Sequence, residues 1–310
     1  MVWISTSRGE ERGYPRSRAC TILESATAGG NDDRGGRCDM VPIKSLDRRR
    51  VRSNFAAHAS DYDQYANVQK HVAHRLAEEF SDYQLQEGPI LDIGTGTGLL
   101  AAELSSRFSH QAILVMDHAH SMTRTALHRL PSAWACDGDA RHLPIAKEVL
   151  AAVVSSSVYQ WVESLPTAFS DVARVLKPDG LFAVALFGEQ TLHELRSSHR
   201  AAVSSCGQMR LSHAQSFPTL DEVSEALGGS GLTVERLQSW MEIEYHQDVP
   251  QLLRRLKQIG AANAAVDRPR GLASRQIVEE MIRSYEERHR TEKGVPASYE
   301  VLLAIARKGG

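Results

Sequence analysis

The chain has 310 residues, of which 42% are hydrophobic and 24% charged, a composition that excludes a wholly disordered or collagen-like chain. Thirty-six Lys and Arg against 38 Asp and Glu give a formal charge of −2, so no overall basic excess indicates nucleic-acid binding. The longest strongly apolar run, Leu181–Phe187, is far shorter than the roughly 20 residues of a membrane span. We therefore expect no nucleic acid and no membrane among the partners.

The first 39 residues differ in character from the rest of the chain. They contain six Gly, six acidic and six Arg residues and show almost no apolar periodicity. We predict a disordered leader over residues 1–39 and a single domain over residues 40–310, with Met1 and Met40 both open as the natural start. The four cysteines form no C-x-x-C pair, which indicates a reduced, cytoplasmic protein.

Helices and strands alternate along most of the remaining chain. Apolar residues at every fourth position predict a helix over residues 64–80. Five short apolar runs predict strands, which lie over residues 90–93, 112–116, 133–136, 150–155 and 181–187. Helices are predicted between and after them, over residues 99–108, 122–130, 165–176, 221–227, 250–260 and 273–290. Strands that are apolar throughout predict a parallel sheet covered on both faces, and residues 177–180 carry the chemistry of a turn.

Two segments interrupt this pattern, over residues 188–231 and 249–298, and we interpret both as insertions into one α/β domain. An alternating stretch over residues 232–245 and a last strand over residues 299–306 complete the chain.

The strongest motif is the glycine-rich turn in the segment Asp92–Gly98, between the first strand and its helix. Gly94, Gly96 and Gly98 follow a G-x-G-x-G spacing, and Asp92 stands two residues before the first of them. Glycines let the backbone turn tightly and approach a ligand. A carboxylate beside the turn would repel a pyrophosphate but suits a ligand with an amino group and a sulfonium. The motif favours S-adenosylmethionine over a dinucleotide.

Two further acidic residues stand at the ends of the next two strands. Asp117 lies about 20 residues after the glycines, where a carboxylate can accept both hydroxyls of a ribose. Asp139 follows the third strand and is a candidate acceptor for an adenine amino group. Each one alone can equally be a helix cap or a turn residue. The order of the glycine-rich turn, Asp117 and Asp139 along the chain favours a cofactor site. We predict that Met122 and Ala140 also belong to this site.

These motifs resemble the class I S-adenosylmethionine-dependent methyltransferases over about residues 85–190. The resemblance rests on Ile90–Gly98, Val115–Asp117, Gly138–Pro144 and Arg174–Gly180. It implies a Rossmann-like, seven-stranded, mostly parallel sheet whose last strand is reversed, with helices on both faces. In that arrangement the helical insertions are expected to form a lid.

A narrower resemblance extends from about residue 48 to the C-terminus. Phe55–Tyr62, Val158–Trp161, Leu256–Ala261 and Ser298–Val301 are similar to segments of the malonyl-acyl-carrier-protein O-methyltransferases of biotin synthesis. Residues 1–39 have no counterpart in that family. Ala119 stands where the family often has Ser, and Ser156 where it usually has Asn.

The resemblance implies that a methyl group is transferred from S-adenosylmethionine to the free carboxylate of a malonyl thioester. The substrate is then malonyl-acyl-carrier protein or malonyl-CoA, and the ester product is elongated toward biotin. Two alternatives stay open: a methyltransferase for a small-molecule acceptor, and a cofactor-binding assembly factor. Their discrimination depends on substrate tests, since all three would keep Asp92, Asp117 and Asp139.

A carboxylate is already ionised at neutral pH, so we expect no general base. Tyr62 is the first candidate for a hydroxyl that faces the substrate carboxylate, with Gln160 and Tyr299 behind it; packing or loop support is the alternative role for each.

An acidic carrier protein implies a basic docking surface. Candidates are the clusters of Arg48, Arg49, Arg50 and Arg52 and of Arg254, Arg255 and Lys257. Each can equally be a solvated basic face, and the first cluster could equally contact RNA. The 13 histidines offer no third ligand beside His71 and His74 or beside His118 and His120, so no metal site is predicted.

Overall fold

The computed structural model describes residues 48–59, 61–206, 216–261 and 272–310, except for the side chains of Arg48, of Arg50 and of residues 272–274. The predicted leader over residues 1–39 and Met40 lie outside this part of the chain. The leader and the single domain over residues 40–310 therefore stay predictions. Within the described residues, no helix combines the length and the apolar character needed to cross a membrane.

The described elements alternate between strands and helices. The strands are β1 (Ile90–Ile93), β2 (Ile113–Asp117), β3 (Trp134–Asp137), β4 (Leu150–Ser156), β5 (Leu176–Phe187), β6 (Leu232–His246) and β7 (Val295–Lys308). The helices are α1 (Arg48–His58), α2 (Tyr62–Tyr65), α3 (Asn67–Ser81), α4 (Leu99–Arg107), α5 (His120–Arg129), α6 (Leu165–Val175), α7 (His193–Ser205), α8 (Leu220–Gly229), α9 (Val249–Gln258) and α10 (Leu272–His289). A short 3-10 helix covers Tyr159–Trp161.

The described strands form one seven-stranded sheet in the order β3-β2-β1-β4-β5-β7-β6. Strands β1 to β5 pair in parallel, and β7 runs antiparallel to both of its neighbours, β5 and β6. This arrangement confirms the predicted Rossmann-like sheet with a reversed last strand.

Alternate residues of the central strands enter two separate cores, one on each face of the sheet. Ile90 and Val154 belong to the core that packs under α3 and α4, whereas Leu91 and Val153 belong to the core under α6 and α8. All four residues of β1 are buried. Burial on both faces explains why these strands are apolar throughout, as the sequence indicated.

The element boundaries differ from prediction in several places. Strand β7 begins at Val295, four residues before the predicted strand over residues 299–306 and inside the predicted insertion over residues 249–298, because its pairing with β6 continues to that point. Strand β5 begins at Leu176, because the residues predicted as a turn lie within the strand. They form an irregularity in its pairing with β4: Leu176 pairs with Leu150, and Leu181 pairs with Ala152. The helix predicted over residues 64–80 is divided at Ala66, between α2 and α3. Helices α1 and α7 were not predicted, because α1 is rich in arginine and α7 in polar residues.

Candidate active site

A cavity of about 160 Å³ lies at the carboxyl ends of β1, β2, β3 and β4. Strand β1 sits between β2 and β4, so the chain order along the sheet reverses at this point. Open parallel sheets bind ligands in the crevice that forms at such a reversal. The cavity walls come from the glycine-rich turn, the ends of β2, β3 and β4, and the N-terminal helices α1 and α2.

The glycine-rich turn is held against the end of the neighbouring strand. The backbone amides of Gly94 and Thr95 donate to the carbonyl of Met116 at 2.7 and 3.0 Å. Gly94 has φ +65°, and a Cβ atom there would lie 2.2 Å from Cγ2 of Val158. The backbone conformation of Gly94 and the contact with Val158, which follows β4, therefore exclude a side chain at this position.

The last glycine of the turn has a packing role. Gly98 has φ +82°, and an added Cβ would lie 2.9 Å from the Cα atom of Ala126. Its absence lets the start of α4 approach α5. Gly94 and Gly96 line the cavity, whereas Gly98 does not, so the glycines of the motif have different roles: two border the cavity and one allows helix packing.

Asp92 is buried at the end of β1, with 1% of its surface exposed. Thr95 Oγ1 donates to its Oδ2 at 2.7 Å. Burial raises the pKa of Asp92 to about 7, and the negative charge of Asp117 adds to the effect. Asp92 does not itself line the cavity, but the next two residues, Ile93 and Gly94, do.

Asp117 lies in the cavity wall at the end of β2 and accepts two backbone hydrogen bonds. The amide of Gly96 donates to one carboxylate oxygen at 3.0 Å, and the amide of Ala119 donates to the other at 2.8 Å. Burial nevertheless raises the pKa of Asp117, because it outweighs these bonds. Each oxygen keeps a lone pair for a ligand hydroxyl.

Asp139 lines the cavity after β3 and forms an ion pair with Arg141. The backbone amide and the Nε atom of Arg141 donate to Asp139 Oδ1 at 3.0 and 2.9 Å. Burial alone would raise the pKa of Asp139, but the hydrogen bonds and charge of Arg141 lower it below its ordinary value. Met122, with 1% of its surface exposed, and Ala140 also line the cavity.

Three aromatic side chains cover the cavity. Phe55 on α1 lies 6.4 Å from the Tyr62 ring and 5.8 Å from the Trp161 ring, measured between ring centroids. All three residues line the cavity. Tyr62 is half-buried, and burial, together with Asp117 and Asp63, raises the pKa of its hydroxyl. The Tyr62 side chain is thus a neutral hydroxyl donor at physiological pH.

A hydrogen-bonded cluster fastens α2 to the glycine-rich turn. Thr97 Oγ1 donates to Asp63 at 2.6 Å. Arg129 donates to the carbonyl and the hydroxyl of Thr97 at 2.7 and 2.9 Å and forms an ion pair with Asp63. We call these three residues the clasp. It joins the residue next to Tyr62 to the turn that carries Gly94 and Gly96.

The other two predicted substrate residues lie outside the cavity wall. Gln160 is buried, and its Nε2 atom donates to the carbonyl of Ser157 at 2.8 Å. Tyr299 is buried on β7, with its ring centroid 5.6 Å from that of Phe187. The structure thus brings Tyr62 to the cavity. Gln160 lies behind the wall and contacts it through Ser157.

Several residues of the cavity wall were not predicted to belong to the cofactor or substrate site. Val51 and Arg52 on α1, His118 after β2, and Ser157 after β4 all contribute to the wall. Helix α1 carries apolar residues at positions 51 and 55, and this spacing was the available signal. None of the described residues in the two predicted insertions lines the cavity. The cover comes from α1, α2 and the 3-10 helix, and α9 contacts α2 from outside.

Comparison with known proteins identifies the family. The chain is 42% identical over 266 residues to the malonyl-[acyl-carrier protein] O-methyltransferase of Geobacter sulfurreducens, which spans 85% of this chain and 100% of that protein. The chain belongs to the malonyl-[acyl-carrier protein] O-methyltransferase family. The relative of the same name from Methylococcus capsulatus is 33% identical over 276 residues, which cover 88% of this chain and 98% of that one. Residues 91–184 match the family model described as a methyltransferase domain.

Solved structures agree with the family's fold. The YcgJ protein of Bacillus subtilis superposes with a TM-score of 0.52 at 17% identity, over 76% of this chain and 99% of that chain. A candidate methyltransferase from Bacillus halodurans gives the same TM-score at 15% identity and covers the same shares of the two chains. At these identities the likeness concerns the fold alone. Family membership makes S-adenosylmethionine the methyl donor and the chain an O-methyltransferase.

Proposed function

We propose that this protein transfers a methyl group from S-adenosylmethionine to the free carboxylate of malonyl-acyl-carrier protein, and that the methyl ester serves biotin synthesis. The observation that carries the proposal is the 42% identity to a malonyl-[acyl-carrier protein] O-methyltransferase over that protein's whole length. A relative from Cellvibrio japonicus, 31% identical, is named a biotin biosynthesis bifunctional protein. The cavity described above supplies a site of suitable chemistry.

The cofactor's groups fit the residues around the cavity. Asp117 would accept the ribose hydroxyls, and Asp139, with Ala140, would hold the adenine, whose edge Met122 would contact. Asp92 would compensate the positive charge of the amino group from behind the turn of Gly94, Gly96 and Gly98. The fit rests on one structural observation: Gly96 faces open space, because a Cβ added there meets nothing within 4 Å.

The chemistry needs orientation rather than a base. When bound, the cofactor supplies a methyl group on a positively charged sulfur. A carboxylate oxygen of the acceptor would form the new bond to the methyl carbon, while the electron pair of the broken C–S bond would stay on sulfur. The malonyl carboxylate is ionised at neutral pH, so no proton has to be removed. The protein's task is to align the carboxylate and to exclude water.

Tyr62 is the proposed substrate-facing hydroxyl, since it lies in the aromatic cover of the cavity. Its raised pKa keeps the proton on the oxygen, so the hydroxyl can donate to an acceptor carboxylate. Gln160 and Tyr299 stay candidates for supporting roles, because neither reaches the cavity wall.

The proposed dock for an acidic carrier protein consists of the basic residues next to the cavity cover. Arg254 and Lys257 are exposed on α9, and the Arg255 guanidinium lies 4.8 Å from the ring centroid of Tyr65 on α2. On α1, Arg49 and Arg52 are exposed, and Arg52 also lines the cavity. Charges placed here would steer an acidic partner toward the cavity mouth.

Malonyl-CoA is the second acceptor that the proposal allows, and we propose neither a nucleic acid nor a membrane as partner. The proposal includes a cytoplasmic location, with which the free thiols of Cys136 and Cys206 are compatible.

A genetic rescue tests substrate and pathway together. The gene is expressed in a bacterium that lacks its own malonyl-acyl-carrier-protein O-methyltransferase, and growth is followed without biotin. We expect the wild type and Ser170→Ala, a change at an exposed serine of α6, to restore growth, and Asp117→Ala to fail at equal protein level. Failure of the folded wild-type protein to restore growth would contradict the proposed function and favour a small-molecule acceptor.

A further inference from the structure

Two serines at the end of β4 have hydroxyl groups without a partner. Ser156 and Ser157 both line the cavity, and the Oγ atom of each is buried with no hydrogen-bond partner in the described part of the chain. Leaving a buried polar group unpaired costs about 1–3 kcal/mol. The other polar groups discussed in this wall, Asp117 and the Asp139–Arg141 pair, are hydrogen-bonded. The serine hydroxyls are therefore unused donors of the cavity wall, in addition to the Tyr62 hydroxyl.

Ser157 also occupies a backbone conformation that glycine would adopt more easily. Its φ is +60°, in the left-handed region. This conformation is held from both sides: the Ser157 amide donates to the carbonyl of Ala185 at 2.8 Å, and Gln160 Nε2 donates to the Ser157 carbonyl at 2.8 Å. Strain of this kind costs roughly 1–3 kcal/mol and is concentrated at functional sites. A glycine at position 157 would adopt this backbone conformation without strain, yet the chain has a serine there.

The position of the serines separates them from the proposed cofactor residues. Asp117 ends β2 and Asp139 follows β3, whereas Ser156 ends β4 and Ser157 follows it, on the other side of β1. The neighbouring wall residues Val158, Trp161 and Val162 are uncharged. This part of the cavity suits an acceptor carboxylate that must stay nucleophilic. A neutral hydroxyl can donate to one carboxylate oxygen, whereas an ion pair with a cation would make the second oxygen a weaker nucleophile.

We propose that the hydroxyls of Ser157 and Ser156 bind the acceptor's carboxylate, through the oxygen that does not attack the methyl group. Gln160 is then a positioning residue, which acts by holding the Ser157 carbonyl and with it the left-handed turn. This inference rests on the proposed function. It makes the end of β4 the part of the site that selects an acceptor with a free carboxylate.

Ser157→Gly separates the hydroxyl from the backbone conformation. Glycine keeps the left-handed turn without strain, so this variant is expected to fold with an unchanged or higher Tm. Asp179→Gly is the matched control, because Asp179 has φ +61° and is exposed on β5, outside the cavity wall. Methylation kinetics with malonyl-acyl-carrier protein, the Kd of S-adenosylmethionine by calorimetry, and Tm are measured for all three proteins.

We expect Ser157→Gly to lower kcat/KM for malonyl-acyl-carrier protein by about 10-fold or more, the effect of losing one hydrogen bond to a charged group. The Kd of S-adenosylmethionine should change less than about twofold, and the control should keep wild-type kinetics. A Ser157→Gly enzyme with wild-type kcat/KM, or one whose cofactor Kd rises by the same factor, would overturn the inference.

Two further measurements locate the contact. Acetyl-acyl-carrier protein has no free carboxylate, so its inhibition constant should be the same for the wild type and Ser157→Gly; a parallel rise would assign the hydroxyl to the shared thioester arm instead. Gln160→Ala should lower kcat/KM in the wild-type background and add little to Ser157→Gly, whereas additive losses would refute the positioning role. If the wild type binds the cofactor but leaves malonyl-acyl-carrier protein unmethylated, the proposed function itself fails, and the inference with it.

Discussion

Asp92→Asn is predicted to stabilise the protein and to weaken cofactor binding at the same time. Burial raises the pKa of Asp92 from an ordinary value of 3.8 to about 7. Keeping the carboxylate ionised in the folded protein therefore costs about 4 kcal/mol at alkaline pH. Asn has the shape of the protonated acid and avoids this cost, and its side-chain oxygen can still accept from Thr95.

The sign of the pH dependence follows from linkage. Because the folded-state pKa is the higher one, the folded protein holds a proton that the unfolded chain has released between about pH 4 and pH 7. The favourable contribution of this proton is complete below pH 4 and is lost as the pH rises through 7. The advantage of Asp92→Asn over the wild type should grow by about 2–3 kcal/mol from pH 5 to pH 8.

Denaturant unfolding at several pH values, with calorimetry of S-adenosylmethionine binding at pH 8, measures both effects. We expect the Kd to rise by about 10-fold or more, since a charged partner of the amino group is removed. Asp221→Asn, at an exposed position of α8, is the control for the change from Asp to Asn itself. An Asp92→Asn protein that is less stable than the wild type at pH 8, or that binds the cofactor normally, would refute the reasoning.

Three further experiments test separate parts of the protein by substitution. Gly94→Ala should lower the unfolding free energy by more than about 2 kcal/mol in thermal or denaturant unfolding, because its Cβ meets Val158, whereas Gly96→Ala should lose less stability. Arg129→Met should raise the cofactor Kd severalfold by releasing the clasp, at a stability loss of at most about 1 kcal/mol. Charge reversal of Arg254 and Lys257 should raise KM for malonyl-acyl-carrier protein and leave KM for malonyl-CoA unchanged.

Each of these expectations has a contradicting result. Equal losses for Gly94→Ala and Gly96→Ala would show that the Val158 contact does not determine the stability. The control for the clasp is Arg124→Met, at an exposed position of the same helix, and an equal rise in Kd there would make the effect one of charge alone. An unchanged KM for the carrier-protein substrate would remove α9 from the docking surface.

The sequence predicted those features of the site that depend on neighbouring residues. Strand β1 and the glycine-rich turn have local signals, namely an apolar run followed by Gly94, Gly96 and Gly98, and the structure has β1 at the predicted bounds. The order of Asp92, Asp117 and Asp139 along the chain translates directly into adjacent strand ends, because parallel strands present their carboxyl ends at one edge.

Features that depend on distant residues could not be predicted in this way. The clasp joins Asp63 to Arg129, and neither residue has a local pattern that names the other. Helix α1 was missed because its arginines hide the spacing of Val51 and Phe55. From the sequence, Tyr299 stands at the start of a predicted strand and could either direct its hydroxyl into the site or belong to the core. Its contact with Phe187 depends on the pairing of β5 with β7, which no local pattern predicts.

The central claim is tested most directly by mass spectrometry of the carrier protein after incubation with enzyme and S-adenosylmethionine. We predict that malonyl-acyl-carrier protein gains the mass of one methyl ester, with one equivalent of S-adenosylhomocysteine formed, and that acetyl-acyl-carrier protein, which lacks the free carboxylate, gains nothing. A protein that binds the cofactor but leaves malonyl-acyl-carrier protein at its original mass, or that modifies both carrier proteins equally, would contradict the account.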